Sequence, residues 1–168
     1  MDKYIYFATQ LPLLVFDKEP ALGIDVFLTE GRKWLSDSDY GMLIAVSIND
    51  TGPANNDPAA LREFKTYENK LRNELVLYRK SQKARQEYKP RLFAAAVLKE
   101  GNPLDVEKKL LLLRWNILSE LEFGHYSDMQ FFILYYLKLQ ILQRLQQFDK
   151  DKGKEKFLTY TELAYEQD

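Results

Sequence analysis

The stretch 102–148 constrains the fold more than any other part of the chain, because it is apolar on too many faces to lie at a surface. It reads as two long helices joined by the break Gly124-His125-Tyr126-Ser127. Asn102-Pro103 opens the first: asparagine accepts from the open amides of a first turn, and proline fits where no amide partner is needed. Asp105 and Glu107 then set negative charge at the positive end of the helix dipole. Val106, Leu110, Leu113, Ile117 and Leu121 recur at three- and four-residue spacing, and Leu104, Leu111, Trp115 and Leu118 form a second stripe roughly opposite. Two apolar faces on one helix predict cover from both sides and a central position. The second helix, capped by Ser127 or Asp128, holds only Gln130 as a polar residue over 129–137, so that half is expected to be buried nearly all round. Further on the apolar set narrows to Ile141, Leu145 and Phe148, with Gln140, Gln143, Arg144, Gln146 and Gln147 facing outward. So short a break predicts an antiparallel hairpin, with Trp115, Leu111, Leu113, Ile117, Leu118, Leu134, Leu137 and Ile141 in its core.

The remaining chain reads as further helices. Residues 4–16 admit a strand, but Tyr4, Phe7, Ala8 and Leu11 share one helical face and no pairing strand is in sight, so a helix is expected. A short helix spans 24–35, with Ile24, Phe27, Leu28 and Leu35 inward. Ser36 and Asp39 then resemble a capping box ahead of a helix through Tyr40, Leu43, Ile44 and Ile48. Residues 49–56, with Gly52 and Pro53, form a loop. Asp57-Pro58 repeats the cap-then-proline pattern and starts a helix of up to thirty residues, about 45 Å long. Leu61, Phe64, Leu71, Leu75 and Tyr78 give it one stripe; its far end is basic, with Arg79, Lys80, Lys83, Arg85, Lys89 and Arg91. Pro90 breaks it, 92–99 is a short apolar turn, 149–156 is a charged linker, and Phe157, Leu158, Leu163 and Ala164 suggest a last helix. The expected fold is all-α: one domain over 1–168, a bundle of six to eight helices with possible sub-units 1–100 and 101–168. Phe64, Tyr67, Lys70 and Leu71 recur at the spacing of Phe132, Tyr135, Lys138 and Leu139, a faint internal echo.

Composition matters mainly for what it excludes. A net charge of −1 gives no overall bias toward nucleic acid or acidic membranes, and the absence of cysteine removes disulfides, thiolate catalysis and zinc–thiolate sites. No cleavable leader is expected at the N-terminus, and no apolar run approaches the roughly 20 residues that span a bilayer. Asp149-x-Asp151-x-Gly153 starts like a calcium loop, but its glycine is one place early and Tyr160 stands where the closing glutamate belongs. His125, Ser127 and Asp128 lie in one turn, whereas a hydrolytic triad converges from separate segments; the histidine reads as a capping or carbonyl-binding group. Glu107, Glu120 and Glu122 sit among Lys108, Lys109 and Arg114 on one helix, where i to i+4 pairing and solvation are the plain expectation. No catalytic residue, cofactor or metal is therefore expected.

Several short motifs resemble an uncharacterised bacterial family whose genes accompany vacuolar-type (V/A-type) ATPase operons. They are Tyr4 to Pro12 (YIYFATQLP), Leu71-Arg72-Asn73-Glu74-Leu75, Asn102 to Glu107 (NPLDVE), Leu113-Arg114-Trp115, Glu120 to Tyr126 (ELEFGHY) and Tyr136 to Leu142 (YLKLQIL). That family is distantly similar to the C/d-type component of the ATPase central stalk, an all-helical funnel of repeated bundles seating the rotating stalk on the membrane ring. The resemblance implies a non-catalytic coupling or assembly subunit, cytoplasmic and held at the membrane face by ATPase subunits. Its partner contacts are expected at Arg72, Asn73, Glu74, Arg79, Lys80 and Lys83. The other reading is a free-standing helical adaptor or RNA-associated protein using the basic stretch 79–91.

Overall fold

Four of the helices start where the sequence supplies an acceptor for their open amides, or where another helix supplies one. The computed structural model describes residues 2–148 and 158. Among them the chain forms seven helices and no strand: α1 (Asp2–Gln10), α2 (Ile24–Trp34), α3 (Asp37–Ala45), α4 (Ala59–Lys83), α5 (Ala96–Lys99), α6 (Pro103–Leu121) and α7 (Met129–Gln146). The helix expected from 4 onward is α1, and 11–16 runs on without helix. The linker at 149–156 and the helix expected around 157–164 lie outside the described residues, apart from Leu158. No helix among the described residues is long and apolar enough to cross a membrane.

The local signals work largely as read. Asn102 and Asp105 form a full capping box, each side chain accepting from the other's backbone amide. Gly101 just ahead has φ +96, and a Cβ there would stand 2.8 Å from Asp105, so the box requires glycine. Ser36 caps α3 through Asp39, while the Asp39 carboxylate accepts from the Tyr4 hydroxyl. Asp128, not Ser127, caps α7: its Oδ1 takes the Phe131 amide, and its Oδ2 lies 2.6 Å from His125 Nδ1.

The start of α4 departs from the reading. Pro58 itself holds the N-cap position with no side-chain cap. Asp57 is turned back onto the Ala54 amide and onto Lys65, at 3.0 Å from its ammonium. The open Ala60 amide donates instead to Gln130 Oε1 of α7, at 2.8 Å. Gln140, expected to face outward, likewise accepts from the Ile48 amide and donates to the Val46 carbonyl. The two glutamines of α7 tie off backbone groups of α4 and of the chain leaving α3. Local sequence cannot show this, because the partners are roughly 70 and 90 residues away.

Ion pairs fix the helix directions. Glu107 with Arg144 and Glu122 with Lys138 run in opposite sequence order, so α6 and α7 are antiparallel, as expected from the short break. Phe7, Phe27, Leu43 and Phe64 share one buried cluster with Leu111, Trp115, Leu118, Phe132, Leu134, Leu137 and Ile141. Leu71, Leu75, Phe93 and Leu110 form a second. Two core expectations need correction: Leu113 and Ile117 are only partly buried, packed at the margins of the second and first clusters. Leu104 and Leu112 are more than a third exposed, so the second face of α6 is only partly covered.

Tyr135 lies in the main cluster with its hydroxyl donating to the Pro12 carbonyl at 2.8 Å. Burial raises its pKa well above the ordinary 10.0, and the Glu122 carboxylate adds to the shift. Burial also raises Tyr67 and Tyr136. Above about pH 10 the unfolded chain releases these protons while the folded chain keeps them, so stability must fall as pH rises through that range. Urea melts are expected to agree at pH 7 and 9 and to shift to lower urea by pH 10.5. Tyr135→Phe should make that last shift smaller.

Candidate functional site

The residues with the most unusual surroundings lie where α4, α6 and α7 meet. On α4, Leu61, Phe64, Leu71, Leu75 and Tyr78 leave one gap in their three- and four-residue rhythm, and Glu68 fills it. Its side chain is wholly shielded from solvent. Glu68 Oε1 accepts from Arg72 Nε at 2.7 Å and Arg114 Nη2 at 2.8 Å, and Oε2 accepts from Arg114 Nε at 2.8 Å. This fork fits a carboxylate in two parallel bonds and makes the burial of both charges tolerable.

Beside this cluster is a half-open cleft of about 160 Å³, walled by Ile48, Leu111 and Asn49 and lined by Arg72, Arg114, Arg144 and Glu107. Arg114 is the most buried of its three arginines, with a side chain 12% exposed; Arg72 and Arg144 are 45% and 49% exposed. Arg144 reaches Glu107 through both Nε and Nη2 at 2.8 Å. A shallow polar groove continues from the cleft past Ile48, Asn49 and Arg144 along Gln140, Gln143 and Gln147.

Two of the three acids, Glu107 and Glu122, thus behave differently from the reading, while Glu120 is exposed as expected. Glu107 and Glu122 pair across to α7, and Arg114 pairs across to α4. Lys138 sits between Glu122 and the ring of Trp115, 5.1 Å from its centroid. Its counterpart in the internal echo, Lys70, is exposed.

The six residues expected to meet a partner sit in different surroundings. Arg72 turns into the cleft. Asn73 is exposed and donates to Asn69. Glu74 is partly buried and works inside the fold: its Oε2 accepts from the amides of Arg91 and Leu92 at 2.7 and 3.0 Å, pinning the returning chain to α4. Arg79, Lys80 and Lys83 are exposed at the far end, where Lys80 and Lys83 complement the negative end of the helix dipole. Arg85 follows at φ 53, in the position where a left-handed residue closes a helix. Glu68, Arg114, Arg144 and Glu107 were not among the expected site residues. The gap in the α4 stripe was the one available sign.

Residues 61–163 match the family described as "Protein of unknown function (DUF2764)". The chain belongs to that family. No curated protein and no solved structure matches this DUF2764 protein. The matched region begins inside α4 and takes in Glu68, Arg72, Arg114 and Arg144, whereas Ile48 and Asn49 of the cleft lie ahead of it. Among the described residues no three acidic or histidine side chains gather as metal ligands would.

Proposed function

We propose that this DUF2764 protein is a non-catalytic coupling or assembly subunit of a bacterial V/A-type ATPase, held on the cytoplasmic face through its partner subunits. The motifs set out above, such as NPLDVE at 102–107 and ELEFGHY at 120–126, supply the choice of machine. The observation that carries the mechanical part is the set of ties between the three longest helices. Glu68–Arg114 joins α4 to α6, while Glu122–Lys138 and Glu107–Arg144 join α6 to α7 at two levels. Interdigitated apolar side chains set the register of neighbouring helices. Directional ion pairs at separate heights resist sliding, which suits a part that passes force between neighbours.

Docking is assigned to the solvent-facing side of α4 and its basic end, Asn73, Arg79, Lys80 and Lys83, with Arg72 beside them at the cleft and Glu74 supporting from behind. The protein tagged in its native cell is expected to bring down ATPase subunits under mild detergent. Their absence, with the bait recovered folded, would overturn the proposal. If the Arg79–Arg91 stretch instead serves RNA, heparin binding would weaken steeply with salt as counterions are released.

A further inference from the structure

We propose that the arginine cleft between α4, α6 and α7 receives an acidic side chain, a glutamate by preference, from an extended segment of a partner protein. The charge count points to an anion. Three guanidinium groups face this cleft against two carboxylates, Glu68 and Glu107, leaving one positive charge in surplus. Glu68 is spent, since both of its oxygens accept from Arg72 and Arg114 and its side chain is closed to solvent. Arg114 uses only Nε and Nη2 on Glu68, so its Nη1 donors remain, and the polar groups buried without a partner do not include it. Those donors therefore keep some contact with solvent on a residue that lines the cleft.

Shape narrows the anion to a carboxylate on a short stem. A water occupies roughly 30 Å³ of liquid, so about 160 Å³ admits a carboxylate with its methylenes. Ile48 and Leu111 line the cleft beside the arginines, and their apolar edges give a CH₂ stem a surface that a phosphate would not use. One surplus positive charge also matches a monoanion better than a phosphate carrying about −1.5 to −2. From the rim, the amide side chains of Asn49, Gln143 and Gln147 offer donors and acceptors of the kind an extended backbone needs. The inference stands apart from the ATPase reading, because any acidic partner segment would satisfy it.

The test is a titration of the full chain, labelled with nitrogen-15, by the peptide acetyl-Gly-Ala-Glu-Ala-Gly-amide. Amides of Ile48, Asn49, Arg72 and Arg144 are expected to shift, with the glutamine analogue at least about tenfold weaker. Arg72→Gln and Arg144→Gln should each weaken binding several-fold with the rest of the spectrum unchanged. Glu107→Gln should tighten it, since Arg144 loses its resident carboxylate. That gain keeps the proposal testable even where an arginine variant is poorly folded. Equal shifts from the glutamate and glutamine peptides, or shifts confined to 79–91, would overturn it. So would inorganic phosphate, or a peptide whose only carboxylate is its C-terminus, binding more tightly than the glutamate peptide. Co-purification with ATPase subunits can fail without touching this result, and the reverse also holds.

Discussion

Glu68→Ala is expected to lower the unfolding free energy by about 3–5 kcal/mol, among the largest effects of any single change on α4. The cost does not come from losing a favourable surface pair. It arises because Arg114, 12% exposed and bonded twice to Glu68, would keep a charge in the interior with no counter-ion. Glu68→Gln keeps the shape but turns an amide donor toward a guanidinium, and is expected to fall between the parent and the alanine variant. A double change, Glu68→Met with Arg114→Met, distinguishes this account from simple loss of packing. Apolar residues of similar volume often replace a buried pair at little cost, so the double variant should be more stable than Glu68→Ala alone. Urea unfolding of the four proteins measures all of this. A Glu68→Ala loss under about 1 kcal/mol would show that the pair is dispensable.

Trp115→Ala is expected to cost about 3–5 kcal/mol through the cavity it leaves. Trp115 is 8% exposed and meets Phe16 edge-on at a centroid distance of 5.6 Å. Its ring also faces the Lys138 ammonium, so the variant leaves that buried cation with Glu122 alone. Trp115→Phe should recover more than half of the loss, because it restores an aromatic face and much of the volume. A urea midpoint for Trp115→Ala close to the parent's would mean that α6 is not the central helix.

Helix positions were legible because their signals are local. The asparagine–proline opening of α6, the serine cap of α3 and the aspartate cap of α7 each act within three residues. Apolar spacing likewise places Leu111, Trp115, Leu118, Leu134, Leu137 and Ile141 inside, all of them buried. What local reading misses is polar traffic between helices. Gln130, Gln140, Glu68 and Lys138 look like ordinary helix-surface residues until the partner helix is in place. Leu113 and Ile117 show the opposite failure: spacing assigned them a buried face, but the covering elements reach only partway across it. One residue of the expected partner surface differs from its reading. Glu74 looks like an exposed acid beside Arg72 and Asn73, yet the chain returning past Pro90 folds over it and uses its carboxylate.

The role of α7 in finishing the earlier helices bears on how the protein is made. A ribosome adds roughly 5–20 residues per second, so α1, α2 and α3 emerge several seconds before α7, which α2 and α3 pack against and α1 meets through Phe7 and Phe132. During that interval Phe7, Phe27, Leu43 and Phe64 have no Phe132 or Leu134 to meet, and the Ala60 amide waits for Gln130. Nascent chains halted before residue 129 should therefore engage chaperones and yield readily to protease, with protection arriving abruptly once the last long helix clears the exit tunnel.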